Sequence, residues 1–403
     1  MPSTDYESPS PLHCILSRWK VRNNPPITTR SRRDELWMGI RESGLSMGDE
    51  SPYQFLRAWF SVPKLTYVTR SDLKEWLAWA LFDRQYNEIT DSKVKAELDE
   101  RILEGEQEMT LTIPDQIDEK VPAAMRLNVD PVVAAHRPLV YYAATELLSL
   151  TADIVLMIRG FTRHRVGPVY FWIMTVDAAE EPPLVFVHAV GIGLSTYLPF
   201  LLHIAASASR TIVLIELPHV SMKLNVDVIP RMEVIAECAA VLFQQQNLPP
   251  ALWVAHSLGT FVFAVVHRLQ PSLVAGVVLL DPVCFLLWEP DLLKNFCYCT
   301  PETPMQIIQN YHVCRELSIS YYFHRHFFWH ECVQFAKHMP SKSLVFISEM
   351  DNIYNTKRVL PYLSSNHVST RVLSGHQHGG WMGDPAAMAQ ILDSLHLDKL
   401  GNL

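Results

Sequence analysis

The sequence predicts an α/β protein with a mostly parallel sheet and helices on both faces. From about residue 168 onward, short β-branched and aromatic runs alternate with stretches long enough for a crossover helix. The later runs are almost wholly apolar, which is typical of strands covered on both sides. The predicted strands are Val169–Val176, Leu184–Val187, Thr211–Ile215, Ala251–Val254, Gly276–Leu280, Leu344–Ile347 and Ser369–Leu373.

Charge divides the chain near the same place. Charged side chains make up 48 of the first 183 residues but only 28 of the remaining 220. The segment 1–30 is rich in Pro, Ser and Thr, and we expect it to be a flexible N-terminus. Apolar residues at helical spacing predict a mostly helical extension over 31–167. The α/β domain then covers 168–403.

Composition excludes several classes of protein. A net charge of −8 argues against a nucleic-acid partner. The seven cysteines are odd in number and scattered, which favours reduced thiols over a disulfide framework. Neither Cys297-x-Cys299 nor the group His324, His326 and His330 has a convincing metal spacing, so we expect no metal. The first residues lack a basic segment followed by an apolar run, so we expect a cytoplasmic protein without a secretory signal.

The longest apolar stretch is Leu139–Ile158. Glu146 and Asp153 interrupt it, and both would be costly at the centre of a bilayer. We therefore expect a helix buried in the protein. The alternatives are a peripheral membrane contact, through this helix or through the predicted lid at 284–338, and, least favoured, a helix that spans the membrane. The apolar positions that recur at helical spacing, and would form the buried face, are Leu139, Ala143, Leu147, Leu150, Ile154 and Ile158.

The most informative run is Ala251–Thr260, in which a buried strand is followed by Ala255-His256-Ser257-Leu258-Gly259 and then by an apolar helix. This is a close variant of the strand–turn–helix motif that exposes a nucleophilic serine. Small residues are needed two positions before and after the serine because strand and helix pass close together there. Ser257 is therefore the candidate nucleophile, and the N–H of Leu258 is a candidate oxyanion donor. His256 is expected to pack rather than to act as the base.

A second loop supports the same chemistry. The strand Leu184–Val187 is followed by His188-Ala189-Val190-Gly191, which resembles the His-Gly-x loop of the α/β-hydrolase superfamily with Ala189 in place of Gly. That resemblance covers roughly 168–395 and implies an α/β-hydrolase fold in which the N–H of Val190 is the second oxyanion donor. The helical extension also resembles that of a group of fungal α/β-hydrolase-like proteins at Phe55–Phe60, Trp76–Trp79 and His136–Leu139. This likeness implies no activity.

The order expected on this fold is serine, acid, histidine. Asp351 follows the predicted strand Leu344–Ile347 and is the first candidate for the acid; Glu349 and Asp281 are the alternatives. His376 and His378 both follow the last strand, and the resemblance favours His378 because a glycine comes directly after it. The chosen histidine would accept the serine proton while the acid fixes its tautomer.

Twelve aromatic residues fall within 284–338, the insertion after the sixth strand of the fold, where we expect a lid. These rings either line an apolar substrate site or pack the lid onto the body. The leading hypothesis is a serine hydrolase that cleaves a lipophilic carboxylester through an acyl-enzyme and needs no cofactor. The alternatives are a binding protein that has kept the fold, motivated by Ala189 and Ala255, and an acyltransferase. The sequence leaves the oligomeric state open.

Overall fold

A computed structural model describes residues 28–396 apart from 47–50, 63–66, 117–122, 178, 180, 207–208 and 224–227. The predicted flexible segment 1–30 lies almost wholly outside the described residues, as does Cys14. The six remaining cysteines are free thiols. The helices that precede the sheet are α1 Arg30–Ser46, α2 Ser51–Phe60, α3 Arg70–Phe82, α4 Ser92–Glu108 and α5 Leu139–Ile158.

Helix α3 illustrates how the sequence sets these elements. It begins with a capping box in which the Thr69 side chain accepts from the Asp72 N–H and the Asp72 carboxylate accepts from the Thr69 N–H. Apolar residues at helical spacing, among them Leu73 and Leu77, are buried. The helix ends at Asp83, which adopts a left-handed conformation (φ 50°).

Eight strands form one sheet in the order β1-β2-β4-β3-β5-β6-β7-β8. The strands are β1 Thr162–Val166, β2 Val169–Met174, β3 Leu184–Val187, β4 Ile212–Glu216, β5 Ala251–His256, β6 Val274–Leu280, β7 Ser343–Ser348 and β8 Thr370–Leu373. Strand β2 pairs antiparallel with both β1 and β4, and all other neighbours are parallel. The helices after β3 are α6 Leu198–Ala206, α7 Met232–Gln245, α8 Gly259–Leu269, α9 Pro304–Gln309, α10 Leu317–Arg325, α11 Trp329–Cys332, α12 Thr356–Ser365 and α13 Pro385–Leu392.

The sheet is buried on both faces. Along β3, Val185 and Val187 belong to one hydrophobic core, whereas Leu184 and Phe186 belong to a second core on the other side. Helices α7, α8 and α12 contribute to the first core, and α6 and α13 to the second. This alternation explains the continuous apolar runs, since successive side chains of a strand point to opposite faces and both faces are covered.

All seven predicted strands are confirmed, with ends that differ by a few residues. The sequence analysis missed β1, Thr162–Val166, so the sheet begins before the predicted boundary at 168. This strand carries Arg163, His164 and Arg165 and lies at the edge of the sheet, largely exposed. A polar edge strand has little of the apolar pattern by which strands are recognised.

The N-terminal helices pack against the insertion between β6 and β7. The Ser43 hydroxyl donates to Glu289 (2.8 Å), and the indole N–H of Trp59 donates to the Trp288 carbonyl (3.3 Å). Of the twelve aromatic residues in 284–338, Phe296 and Phe323 line the cavity next to Ser257. The insertion therefore both borders the cavity and packs against the extension.

The prediction that one apolar stripe of α5 faces the core is wrong. The apolar stripe expected to face the core faces outward, with Leu139 70%, Leu147 64% and Ile158 77% exposed. The inward side carries Ala152, Leu156 and three polar residues, Tyr142, Thr145 and Ser149, whose side chains find hydrogen-bond partners in the body. Among the described residues α5 is the one helix long and apolar enough to cross a membrane, with a mean hydropathy of 1.4 and 28% of its apolar window buried.

Candidate active site

Ser257 occupies the sharp turn between β5 and α8. It has a φ of 50°, an uncommon left-handed conformation for a residue other than glycine. Its backbone N–H donates to the Leu280 carbonyl (3.0 Å), which holds the turn against β6. A Cβ on Gly259 would lie 2.4 Å from the Val187 carbonyl oxygen, so only glycine fits there. At the other small position, Ala255 is fully buried in β5 and its methyl group is accommodated.

Three side chains from separate loops meet at this turn. The Ser257 Oγ lies 2.8 Å from His378 Nε2, and His378 Nδ1 lies 2.6 Å from Asp351 Oδ2. Asp351 follows β7 and His378 follows β8, so both stand at the carboxyl edge of the parallel strands. The geometry gives an Nδ1–H that donates to Asp351 and an Nε2 that accepts from the Ser257 hydroxyl.

The charge of Asp351 governs the proton affinity of His378. Burial alone would lower the pKa of the imidazole, but the nearby Asp351 carboxylate and its hydrogen bond stabilise the protonated form. The net result is a His378 pKa above the ordinary 6.5. The Asp351 carboxylate is itself anchored, since its Oδ1 accepts from the Ile353 N–H (2.8 Å).

The alternative candidates have other partners. His376 Nε2 contacts Asp384 (3.0 Å), and its Nδ1 donates to the Ser374 carbonyl. Glu349 accepts from the Gly375 N–H (2.9 Å). The structure thus brings Ser257 together with His378 and Asp351, while His376 and Glu349 stabilise the surrounding loop.

Asp281 has a role that the sequence did not indicate. Its fully buried carboxylate accepts from the N–H and hydroxyl of Ser348 (2.7 and 3.0 Å) and from the Gly379 N–H (2.8 Å). Since Gly379 directly follows His378, Asp281 holds the histidine loop against β7. The complete burial of Asp281 and the donors around it are visible only in the folded protein.

Asp281, Asp351 and His378 offer potential metal-ligand atoms within 4.8 Å of one another, the one such group among the described residues. Their oxygens and Nδ1 already form hydrogen bonds with protein donors or with each other. The histidines of the insertion that were candidate metal ligands have other partners. His330 pairs with Asp83, and His324 Nδ1 donates to the Ser320 carbonyl (2.8 Å).

The loop after β3 lies beside the turn. Val190 and Leu258 line the same cavity as Ser257. Ala189 is not among the described residues with positive φ, so this position does not require the glycine found in the related motif. Buried His188 anchors the loop: its Nδ1–H donates to the Ala189 carbonyl (2.6 Å), and its Nε2 accepts from the Leu217 N–H (3.0 Å). Burial lowers the pKa of His188 to about 4, so this anchor stays neutral.

Tyr197 connects this loop to the serine turn, and sequence reasoning missed it. Its hydroxyl accepts from the Ala189 N–H (3.1 Å) and donates to His256 Nδ1 (2.5 Å). The His256 ring stacks 5.5 Å from that of His378, and burial lowers the His256 pKa. His256 is thus a neutral packing element, as expected. No sequence pattern marks Tyr197, because its contact with His256 joins residues 59 positions apart in the sequence.

A cavity of about 380 Å³ opens above Ser257. Its wall is mostly apolar, with Val283, Leu292, Phe296, Ile308 and Phe323 among the lining residues. A smaller polar group includes Asn352, whose amide donates to Gln309 (2.8 Å). The arrangement can hold an apolar group next to a serine whose hydroxyl is hydrogen-bonded to an imidazole.

The strand order, the antiparallel β2 and the serine between β5 and α8 define the class: the chain has the α/β-hydrolase fold. No protein-family model matches the chain, and no curated protein matches its sequence.

Several solved structures are similar in fold. A bacterial membrane phospholipase A is 14% identical over 66% of this chain and 94% of that chain, with a TM-score of 0.47. The carboxylesterase CesB from Bacillus subtilis is 13% identical over 62% and 98%, with a TM-score of 0.45. The hydrolase of 2-hydroxy-6-oxo-6-phenylhexa-2,4-dienoate from Rhodococcus sp. strain RHA1 is 17% identical over 58% and 96%, with a TM-score of 0.42. At such low sequence identity, the similarity to these proteins concerns the fold alone.

Proposed function

We propose that this protein is a serine hydrolase that cleaves esters of a lipophilic acid or alcohol, with Ser257 as the nucleophile. One observation carries the proposal: a continuous hydrogen-bond chain from Ser257 through His378 to Asp351 at the wall of a mostly apolar cavity. A neutral imidazole within hydrogen-bond reach of a serine hydroxyl is the arrangement that activates it as a nucleophile.

In the acylation step, Ser257 Oγ attacks the ester carbonyl and its proton passes to His378 Nε2. Asp351 stabilises the imidazolium that forms. The carbonyl oxygen becomes an oxyanion, for which the N–H groups of Val190 and Leu258 are the proposed donors. The C–O bond of the ester then breaks, and His378 returns the proton to the departing alcohol.

In the deacylation step, a water molecule gives a proton to His378 Nε2 and attacks the acyl-enzyme carbonyl. The same oxyanion donors act again, and the ester bond to Ser257 breaks. His378 returns the proton to Ser257 Oγ, and the carboxylic acid leaves. Every proton transfer therefore uses the one Nε2 atom that contacts Ser257.

The nature of the cavity supports a lipophilic substrate. Its lining is predominantly aliphatic and aromatic, and an apolar group buried there gains about 25 cal/mol for each Å² removed from water. The polar pair Asn352 and Gln309 would orient one polar part of the substrate. The binding-protein alternative rested on Ala189 and Ala255, and both are accommodated without displacing the loops that carry the candidate donors.

The proposal is tested with a fluorophosphonate probe and a panel of p-nitrophenyl esters of rising chain length. We expect the probe to label the wild type and not Ser257→Ala, since the label forms on the serine oxygen. Hydrolysis should increase with acyl length and fall by about 10⁴-fold or more in Ser257→Ala. Equal labelling of both proteins, or no turnover across the panel, would contradict the proposal. Ester formation in competition with water when alcohol is added would indicate an acyltransferase.

The pH dependence of the reaction follows from the raised pKa of His378. Because the base must be neutral, we expect kcat/KM to fall on the acid side of a pKa above 6.5. Protonated His378 is favoured in the folded protein, so its stabilising contribution is fully present below pH 6.5 and is lost as the pH rises through the folded-state pKa. In Asp351→Asn the carboxylate that raises the His378 pKa is removed, while the burial that lowers this pKa remains. The pKa of His378 should therefore decrease.

The acid limb, in which kcat/KM falls as the pH decreases, is measured from the pH profile of the wild type. The pKa of His378 in Asp351→Asn is measured by NMR titration of the imidazole ring. His376→Ala serves as the control and should leave the wild-type profile in place. An acid limb below pH 6.5, or an unchanged His378 pKa in Asp351→Asn, would be inconsistent with the assigned pair.

A further inference from the structure

The outward side of α5 is apolar throughout. We call the following exposed side chains the outer face. Its large members are between 45% and 77% exposed: Leu139, Val140, Leu147, Leu148, Leu150, Ile154, Met157 and Ile158. Ala143, Ala144 and Thr151 complete the exposed positions of the helix, and none of these residues is charged. A contiguous exposed apolar surface of this kind marks an interaction site.

Polar contacts fix the orientation of this helix. On its inward side, the Tyr142 hydroxyl donates to Glu316 (2.9 Å), and the Thr145 hydroxyl donates to the Met222 carbonyl (3.1 Å). Lys223 donates to Ser149. Rotating the helix to bury its outer face would break these hydrogen bonds. Each polar group that then stays buried without a partner would reduce the stability of the protein. The outward position of the apolar residues is therefore a property of the folded protein.

The start of α5 lies next to a residue of the cavity wall. The Tyr141 ring stacks on His312 (5.7 Å between centroids), and His312 lines the cavity. Met305 and Ile308 of α9 line the same cavity and are 52% and 53% exposed, so they belong both to its wall and to the surface of the protein. The start of α5 and exposed apolar residues of α9 thus both adjoin the cavity.

The outer face runs along the whole of a helix of 20 residues, about 30 Å. A single amphipathic helix of this kind can be immersed at a lipid interface, and a fluid bilayer needs no surface that matches the helix in shape.

The charge next to α5 is complementary to an anionic membrane. Exposed Arg159 and Arg165 follow the helix, and no acidic residue occurs between Asp153 and Asp177 in the sequence. Arg163 lies between them but pairs with Glu216 (2.9 Å), so it adds no unpaired charge. Basic residues beside an apolar helix are typical of segments that bind acidic headgroups.

We infer that the outer face of α5 docks this protein on an anionic lipid bilayer, with α9 at the membrane surface, so that the cavity takes lipid-like esters directly from the membrane. The substrate part of the inference rests on the proposed ester hydrolysis. The docking part does not require catalysis, and the two are measured separately.

The experiment uses the full chain and flotation with two kinds of vesicle: phosphatidylcholine alone, and phosphatidylcholine mixed with phosphatidylserine. The variant combines Leu147→Gln, Leu150→Gln and Ile154→Gln, which removes one stripe of the outer face without adding charge. The matched control combines Leu103→Gln, Val241→Gln and Leu269→Gln, three aliphatic residues exposed by 48%, 40% and 38% on other helices.

We expect the wild type and the control to float with the mixed vesicles, and to float less with phosphatidylcholine alone. The α5 variant should partition roughly a hundredfold more weakly, since three leucine-sized side chains no longer enter the bilayer. It should also lose hydrolysis of a vesicle-embedded ester while keeping that of a water-soluble p-nitrophenyl ester. Failure of the soluble assay in all proteins would refute the proposed function without affecting the flotation result.

Three outcomes would overturn the docking inference. One is a wild type that floats with neither kind of vesicle. Another is an α5 variant that floats as well as the control. The last is a wild type that instead self-associates in solution through a contact that the α5 variant abolishes, which would make the outer face an interface between copies. Equal flotation on both vesicle types would refute the selectivity for anionic lipid.

Discussion

Replacing His378 by alanine is expected to lower kcat on a p-nitrophenyl ester by about five to six orders of magnitude. His378 is the one imidazole in hydrogen-bond contact with Ser257 Oγ among the described residues, at 2.8 Å. Without it, the serine proton has no acceptor during attack and the departing alcohol has no donor. The loss should be in kcat rather than KM, because the apolar side chains that line the cavity are left in place.

His376→Ala is the matched control for this variant. His376 is in the same loop, two residues earlier, but its ring contacts Asp384 and the Ser374 carbonyl. We expect a change in kcat of less than about tenfold, together with a small loss of stability typical of an exposed contact. A His376→Ala variant as inactive as His378→Ala would show that the base has been assigned to the wrong histidine. Thermal unfolding of both variants separates loss of chemistry from loss of fold.

Replacing Gly259 by alanine is expected to reduce the free energy of unfolding by about 3 kcal/mol or more. The new Cβ would lie 2.4 Å from the Val187 carbonyl oxygen, 2.9 Å from its carbon and 3.0 Å from the His188 oxygen. All three are backbone atoms of the end of β3 and the loop after it, so relief requires α8 to move away from the sheet. That movement would displace both Ser257 and the loop that contains Val190.

Gly383→Ala provides the control, since no heavy atom lies within 4 Å of a Cβ at that position. We expect its free energy of unfolding to differ from that of the wild type by less than about 0.5 kcal/mol. The measurement is the urea midpoint at constant slope for both variants. If Gly259→Ala were as stable as Gly383→Ala, the close approach of α8 to β3 would not exist in the protein.

Much of the architecture could be read from local patterns. The seven predicted strands were recognisable because each is buried on both faces and therefore continuously apolar. Ser257 was recognisable because a strand, a tight turn and a helix occur within one short segment. Strand order places the acid and the histidine in the loops that contain Asp351 and His378, and the resemblance to the α/β-hydrolase superfamily favours His378 over His376 because a glycine follows it. The structure places these two side chains within hydrogen-bond distance of each other.

The positioning contacts could not be predicted in this way. Tyr197 bridges the Ala189 N–H and His256, and Asp281 holds Gly379 and Ser348. Each contact joins residues far apart in the sequence, and no spacing or motif records it. Asp281 was even a candidate for the catalytic acid, because a carboxyl group at a strand end looks the same in sequence whichever donors surround it.

Helix α5 shows the same limit most clearly. The sequence by itself determined that Leu139–Ile158 is a helix with an apolar stripe, since helical spacing is a local property. Only the tertiary structure decided which side faces the body. The hydrogen bonds of Tyr142 and Thr145 to Glu316 and Met222 depend on distant segments, and they turn the stripe outward. Periodicity fixes which residues share a face, but the partners available in the folded chain decide which face is buried.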